Sequence, residues 1–327
     1  MGRYIVRRLL LLIPTLFGVS VIIFALVRLM PGDPAQIFVG VEQASEEQMA
    51  VVRHEMGLDR SLPVQYGFYV ARLARGDLGN SFANRFPVAT LVADRFPATV
   101  ELALAALLIA LIIAVPVGVV SAVRQYSWLD NLAMGGALVG VSMPTFWLGL
   151  LLILLFALQL QWLPASGIGT PVWESFGPLF RGQPQPLLAS LQHLLLPALT
   201  LSTALLGLLV RLVRSSMLDV LHADYVRTAR AKGLNERLVI YRHAFRNALI
   251  PVVTLVGLQI GGLLSGSVIT ETVFAWPGIG RLVIDAILQR DYPIVQGVTL
   301  VFALVFVLSN LLVDLSYGLL DPKIRYD

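Results

Sequence analysis

The chain alternates between long apolar runs and short polar stretches, and the runs are longer than a soluble core needs. Leu9–Val27, Leu102–Val123 and Asn131–Trp173 contain no charged residue. A helix rises about 1.5 Å per residue and the hydrocarbon core of a bilayer is about 30 Å thick, so about 20 apolar residues suffice to cross it. On that measure the pattern predicts six spans: about Leu9–Leu29, Leu102–Val123, one inside Asn131–Trp173, Leu194–Val210, Leu249–Thr270 and Ile294–Val313.

The third stretch admits two readings. Asn131–Leu163 as one helix would be roughly 50 Å long. It is either one span followed by an apolar loop, or two short spans broken near Pro144. Charge favours one span. The segment Arg211–Arg246 carries eight Arg or Lys against three acids. With one span it shares a side with Arg3, Arg7, Arg8 and Arg124, and basic loops stay in the cytoplasm. Both termini are then expected to be cytoplasmic.

The first run follows Arg3, Arg7 and Arg8, as in a signal peptide. Its uncharged length of 19 residues exceeds a signal core, and "RLMPGDP" offers no small-residue cleavage site, so a retained helix is expected. The opposite face receives Pro31–Ala98, with six basic and eight acidic residues. That is too long for a structureless connector. "EQASEEQMAVVRHEMGLD" has helical spacing, with Met49, Val52 and Met56 on one side, and "ARLARGDLGNSF" ends in turn signals. A small, partly helical external subdomain is expected there, and a second external loop at about Pro164–Gln192. The domain reading is 1–30 for the N-terminus and first span, 31–98 for the external loop, 99–318 for the core with a cytoplasmic loop at 211–248, and 319–327 for a cytoplasmic tail.

Composition agrees: 57% of residues are hydrophobic, 13% are charged and mean hydropathy is +0.79. The absence of cysteine excludes disulfides, iron–sulfur clusters and thiol catalysis. The two lysines, Lys232 and Lys323, are followed by Gly and Ile, so no G-x-x-x-x-G-K-[ST] phosphate loop exists in the chain. His54, His193, His222 and His243 lack metal-ligand spacing, and no metal site is expected. No G-x-S-x-G elbow is present, and no catalytic residue is assigned. Ionisable groups in the spans sit near their ends: Arg28, Glu101 and Asp314. Ion-coupled carriers keep such groups near the bilayer centre. Energy for active transport would therefore come from another subunit. Glu101, Ser142, Thr145 and Ser202 are the polar candidates for a pathway lining, and an interfacial carboxylate reaching water is the plainer reading of Glu101.

The densest chemistry lies in "DYVRTARAKGLNERLVIYRHAFRNALIP", Asp224–Pro251. Asp224 is expected as an N-cap, with Tyr225, Val226 and Ala229 on one face and Arg227 and Arg230 on another. Gly233 ends that helix, and Asn235 caps a second one beginning at Glu236. In it Leu238, Tyr241, Phe245 and Leu249 form an apolar stripe, with Arg237, Arg242 and Arg246 facing away. A loop resting on anionic lipid would need only scattered charges; two capped helices around a glycine suit docking of a cytoplasmic partner. On the other side, "FAWPGIGR" cannot be regular helix at Pro277, Gly278 and Gly280. It is expected as a turn at the outer mouth, with Trp276 at the membrane interface and Arg281 beside it. It is either a gate or docking surface, or a turn holding spans five and six.

These motifs together resemble the permease subunits of bacterial ABC importers, and more narrowly the B-type member of the oligopeptide/dipeptide branch. The landmarks are "IPTLFGVSVIIFALVRLMPGDP", "GDLGNSF", "RLVRSSMLDVL", "TETVFAWPGIGRLVIDAILQRDYPIVQG" and "LLVDLSYGLLDPKIRYD", in order over nearly the whole chain. The resemblance implies an all-α membrane protein with the six-helix type I importer fold. It also implies a second homologous permease as a heterodimer partner, two cytoplasmic ATPases carrying ATP and Mg²⁺, and an extracytoplasmic binding protein. The setting is the bacterial inner membrane, and no nucleic acid is involved. The loop would carry the coupling helix, with Asp224, Arg227, Ala229, Arg230, Lys232 and Gly233 at the ATPase. The family's loop signature is Glu-Ala-Ala, three residues, then Gly, with Ile-x-Leu-Pro further on. Here Arg227-Thr228-Ala229 and Gly233 stand at the first part, His243-Ala244-Phe245-Arg246 at the second, and the proline is displaced to Pro251. Ala and Gly match; Arg227 replaces the acid. The substrates implied are dipeptides, longer peptides, glutathione, nickel chelates or oligosaccharides. The rival class is an ATP-independent channel, carrier or receptor.

Overall fold

The computed structural model describes residues 2–29, 49–50, 53–54 and 59–320. The helical stretch expected at 42–59 lies mostly outside the described residues, as do the side chains of Arg28 and Asp314 and residues 321–327.

Among the described residues the fold is all helical. In chain order the helices are α1 (Gly2–Leu29), α2 (Leu62–Leu73), α3 (Val88–Val123), α4 (Trp128–Ser142), α5 (Thr145–Leu152), α6 (Val172–Phe180), α7 (Gln185–Leu221), α8 (Asp224–Ala231), α9 (Phe245–Gly266), α10 (Val268–Val273), α11 (Ile279–Leu288) and α12 (Tyr292–Leu320). π-helical turns follow α5 (Ile153–Gln159) and precede α9 (Val239–Ala244). Four stretches are long and apolar enough to cross a membrane: Val88–Val123, Gln185–Leu221, Glu236–Leu264 and Tyr292–Leu312. The pair formed by α4 and α5 with its π turn, bent by 105°, meets the same measure only when its two parts are taken together. α1 contributes the shorter apolar stretch Leu10–Leu26.

Two expectations are sharpened here. The third stretch breaks at Pro144, where the second of its two readings put a break. Pro144 supplies no N–H and drives the preceding Met143 to an extended ψ of 125°, so α4 stops and α5 restarts in a new direction. The fourth span is longer than its apolar run. α7 begins at Gln185, inside the expected loop, and that loop also holds α6. The hydroxyls of Ser175 and Ser190, 2.9 Å apart, tie α6 to α7, and Ser190 also donates to the carbonyl of Thr170.

The described chain divides into two compact units. One contains the described residues up to Pro97 together with Pro277–Val307. Here α1 meets α2 through aromatic edges, with Tyr66 against Phe17 and Phe24 at 5.9 and 5.2 Å. The Tyr66 hydroxyl lies 2.8 Å from that of Ser20. After α2, Arg72 donates to both oxygens of Asp77 at 2.8 and 3.3 Å, which holds that carboxyl below its ordinary range. The turn beyond it is anchored by Ser81, whose hydroxyl donates to Asp291 at the start of α12 (2.5 Å). Val88, Val92, Ile279, Leu282, Val283, Ala286, Ile294 and Val298 form the apolar core of this unit.

The other unit contains Ala98–Trp276 and the described residues from Leu308. α7 is its axis and packs on α4, α5, α6 and α9. Close approach depends on small residues, as is usual where helices meet in lipid. A Cβ on Gly207 would lie 2.4 Å from the carbonyl oxygen of Ala137 in α4. One on Gly118 would lie 2.6 Å from the Val213 side chain. Gly135, by contrast, faces open space. Gly207→Val should therefore force α4 from α7 and cost about 1–3 kcal/mol. A thermal-shift assay in detergent should show a lower midpoint for it and an unchanged one for Gly135→Ala.

Candidate functional site

The basic loop between α7 and α9 is a folded unit. α8 starts one residue differently from the sequence reading: Ala223 is the N-cap, with extended backbone, and Asp224 opens the first turn. The carbonyl of Ala223 accepts from Val226 and Arg227, so no side-chain cap is needed. Asp224 still suits its place, because a carboxylate in the first turn complements the helix dipole. It lies 3.5 Å from Arg227 Nη1, with both groups exposed. Val226 and Ala229 are buried, as their spacing predicts. Tyr225 is exposed, yet its hydroxyl accepts from Asn247 Nδ2 at 2.8 Å and so ties α8 to α9.

Gly233 ends α8 in the left-handed conformation, at φ +71°. Its N–H reaches the carbonyl of Arg230 (2.9 Å), and the N–H of Leu234 reaches that of Ala229 (3.4 Å). This paired closure satisfies the last carbonyls of the helix. Asn235 then caps the next turn by accepting from the Arg237 N–H at 3.0 Å. Arg230 spans the junction. Its Nη2 and Nε hold Glu236 at 2.8 and 3.2 Å, while Nη1 donates to the carbonyl of Leu221, the last residue of α7 (3.3 Å). The carboxylate keeps the Arg230 guanidinium above its ordinary pKa.

The expected stripe of Leu238, Tyr241, Phe245 and Leu249 is corrected. Tyr241 is 63% exposed, and the buried positions are Val239, Ile240, Ala244 and Ala248. The π-helical turn at Val239–Ala244 inserts extra backbone and rotates the buried face relative to an α-helix. Arg227, Lys232, Arg237, Arg242 and Arg246 all remain exposed, on a scaffold that joins two long helices.

The Phe274–Arg281 segment differs in part from its expected form. Trp276 is packed inside the protein: it is 1% exposed, and its Nε1 donates to the carbonyl of Ala98 at 2.8 Å. Ala275 takes the left-handed position, at φ +50°, where Trp276 N–H closes α10 on the carbonyl of Glu271 (2.8 Å). Pro277 is half-buried and Gly278 is the N-cap of α11, so Gly280 and Arg281 lie in its first turn and are helical. Arg281 approaches Asp285 at 3.7 Å. Helix resumes here because an N-cap glycine supplies the extended backbone that the start requires.

The pathway candidates are dispersed. Glu101 is 8% exposed; its Oε1 accepts from the Val172 N–H at the start of α6 (2.9 Å), and Oε2 is buried without a hydrogen-bond partner. Ser142 and Thr145 flank the break at Pro144, with Ser142 exposed and Thr145 half-buried. Ser202 is buried, and its hydroxyl donates to its own helix at Leu199 (2.8 Å).

Sequence reasoning missed three buried carboxylates, of which Asp291 has been described with Ser81. Glu271 is fully buried and accepts from the hydroxyls of Thr99 and Ser267, each at 2.8 Å. Asp130 is bound by Arg214. The signal for Asp130 was Ser127-x-x-Asp130 opening a long uncharged run, a capping pattern.

Apolar helices long enough to cross a bilayer, joined by a folded polar loop, define a multi-pass integral membrane protein. The chain belongs to the family described as binding-protein-dependent transport system inner membrane component, whose profile matches residues 114–326, and the N-terminal profile of the same systems matches residues 1–103. It is 48% identical to the dipeptide transport system permease protein DppB of Alkalihalophilus pseudofirmus, over all of both chains. It is 44% identical to the DppB of Escherichia coli strain K12, over 100% of this chain and 99% of that one. A glutathione transport system permease protein, GsiC of Escherichia coli O6:H1, is 44% identical over all of both chains. The protein is thus an ABC importer permease subunit of the inner membrane. It is non-catalytic, and ATPase activity resides in separate subunits. Such permeases work with a partner permease, ATPases and a substrate-binding protein.

Gly233→Ala places a Cβ in the left-handed position at φ +71°. It should weaken the closure of α8 by about 1 kcal/mol, or roughly five-fold faster amide exchange at the end of α8. Hydrogen exchange with mass spectrometry checks this.

Proposed function

We propose that this chain imports short peptides or peptide-like solutes, as half of a translocation pathway powered by separate ATPases. The relatives' names support that class: dipeptide, di/tripeptide and glutathione permeases all align over the full chain. In this reading six spans form a type I importer bundle, with both termini cytoplasmic and 31–98 as an external subdomain. Residues 1–30 form the N-terminus and first helix, 99–318 the core, and 319–327 the tail. The partners are a second, homologous permease in a heterodimer, two ATPases that hold ATP and Mg²⁺, an extracytoplasmic binding protein and the bilayer.

The observation that carries the reading is the construction of the loop within 211–248. α8 presents Arg227 and Lys232 to solvent, while Arg230 and Tyr225 tie it to α7 and α9. A rigid polar helix fastened to two long apolar helices can carry a push from a docked ATPase into the membrane. Asp224, Arg227, Ala229, Arg230, Lys232 and Gly233 form that docking element, with Arg230 and Ala229 holding its shape. Trp276, Pro277, Gly278, Gly280 and Arg281 belong to the outer gate, and Glu101, Ser142, Thr145 and Ser202 to the pathway region. Transport proceeds by alternating access. ATP binding closes the ATPases and opens the bundle outward, and hydrolysis resets it. Specificity lies mainly in the delivery protein, because a permeating solute must not be held tightly.

Co-expression with the partner permease and ATPases, followed by reconstitution with the binding protein, tests this. ATPase should co-purify, and vesicles should accumulate a dipeptide or glutathione only with ATP. Undiminished uptake without an ATPase subunit would overturn the reading.

A further inference from the structure

Asp130 accepts from four donors. It is 2% exposed, in the first turn of α4. Its Oδ1 accepts from Arg214 Nε (2.6 Å) and from the hydroxyl of Ser121 in α3. Its Oδ2 accepts from Arg214 Nη2 (2.8 Å) and from the N–H of Tyr126 (2.9 Å). Four donors occupy both oxygens, which leaves the carboxylate little freedom to turn. Tyr126 takes a left-handed φ of +62°, so the loop between α3 and α4 is folded around this group. One carboxylate therefore joins the end of α3, the start of α4 and the last part of α7.

Arg214 lies about two turns before the end of α7. At that end the carbonyl of Leu221 is held by Arg230, whose other nitrogens hold Glu236. The last part of α7 is thus gripped at one end by the α8 loop and at the other by Asp130. An α-helix is stiff along its axis, so a displacement of α8 arrives at Asp130. A buried ion pair is a poor source of stability, because apolar residues of similar size often serve as well; a two-pronged pair fixes geometry instead.

We propose that the Asp130–Arg214 pair is a positioning element that relays movement of the α8 loop through α7 to α3 and α4. The proposal rests on the reading of α8 as the ATPase-docking element and adds the route by which docking reaches the spans. In this role Asp130 and Arg214 are positioning residues, acting through the helices that they join.

The test uses the full complex reconstituted with its binding protein. Three readouts are taken: ATPase capture, ATP hydrolysis, and solute transported per ATP hydrolysed. Arg214→Lys keeps the charge and loses the fork. The paired variant Asp130→Leu with Arg214→Met keeps packing and loses the link. Both should capture ATPase and hydrolyse ATP, while transport per ATP falls about tenfold, within the usual range of coupling between sites. A second arm restores the fork in the opposite sense, with Asp130→Arg and Arg214→Asp together; partial recovery of transport per ATP is expected. Unchanged transport per ATP in Arg214→Lys, or in the paired apolar variant, would overturn the relay. Loss of ATPase capture by both would also overturn it, since the pair would then only hold the fold together. A wild-type chain that captures no ATPase defeats the docking reading itself, before any variant is compared.

Discussion

Helix α7 can lie against α4 only because Gly207 has no side chain; a Cβ there would meet the Ala137 carbonyl at 2.4 Å. In lipid there is no hydrophobic drive between helices, so contact depends on close packing and polar ties. The glycine supplies the first and Arg214 the second. With α7 seated, the elements of Ala98–Trp276 have a common support: α4 and α5 lean on it from either side of the Pro144 break, α6 is pinned to it through Ser190, and α9 runs beside it. Beyond the bend between α4 and α5, Gly149 in α5 lets Phe274 pack directly on that helix.

The basic loop extends this logic beyond the apolar part of α7. Its charges have two roles. Arg230, also exposed, bonds within the loop and holds Leu221 and Glu236 together. Arg227, Lys232, Arg237, Arg242 and Arg246 face outward and remain exposed. A loop serving only membrane orientation would need the second set alone. Arg230, the Tyr225–Asn247 hydrogen bond and the paired closure at Gly233 keep α8 at a fixed attitude to both neighbours. Arg227, standing where the family signature has an acid, is one of the outward group, and it lies 3.5 Å from the equally exposed Asp224.

What the sequence made legible was local. Apolar runs located the helices because bilayer thickness sets a minimum length that few other constraints imitate. Gly233 and Asn235 were readable because a left-handed residue and a side-chain cap act within a few positions. The exclusion of a phosphate-binding loop needed only two lysines. What escaped was set by distant partners. Asp130 and Arg214 are 84 positions apart, and Trp276 is 178 from the carbonyl that buries its indole N–H. The length of α7 escaped because its N-terminal part is tied to α6 through Ser190 and its last residue to α8 through Arg230, both distant partners. The stripe before α9 escaped because a π turn shifts phase without a residue signature of its own.

The placement of polar groups also bears on where selectivity resides. Several buried carboxylates and hydroxyls in the described part of the spans have internal partners: Glu271 binds Thr99 and Ser267, Asp130 binds Arg214, and Ser202 binds its own backbone, whereas Glu101 Oε2 and Thr270 Oγ1 have none. Groups already satisfied have little to offer a passing solute, since exchanging one hydrogen bond for another yields small net gain. On the proposed function, a pathway lined by such groups would favour release over retention, recognition would fall to the delivery protein, and the free energy of the cycle would arrive through the loop that α8 builds. Full-length similarity to permeases for a dipeptide and for glutathione fits that division, because one such scaffold can serve different cargo without remaking its interior.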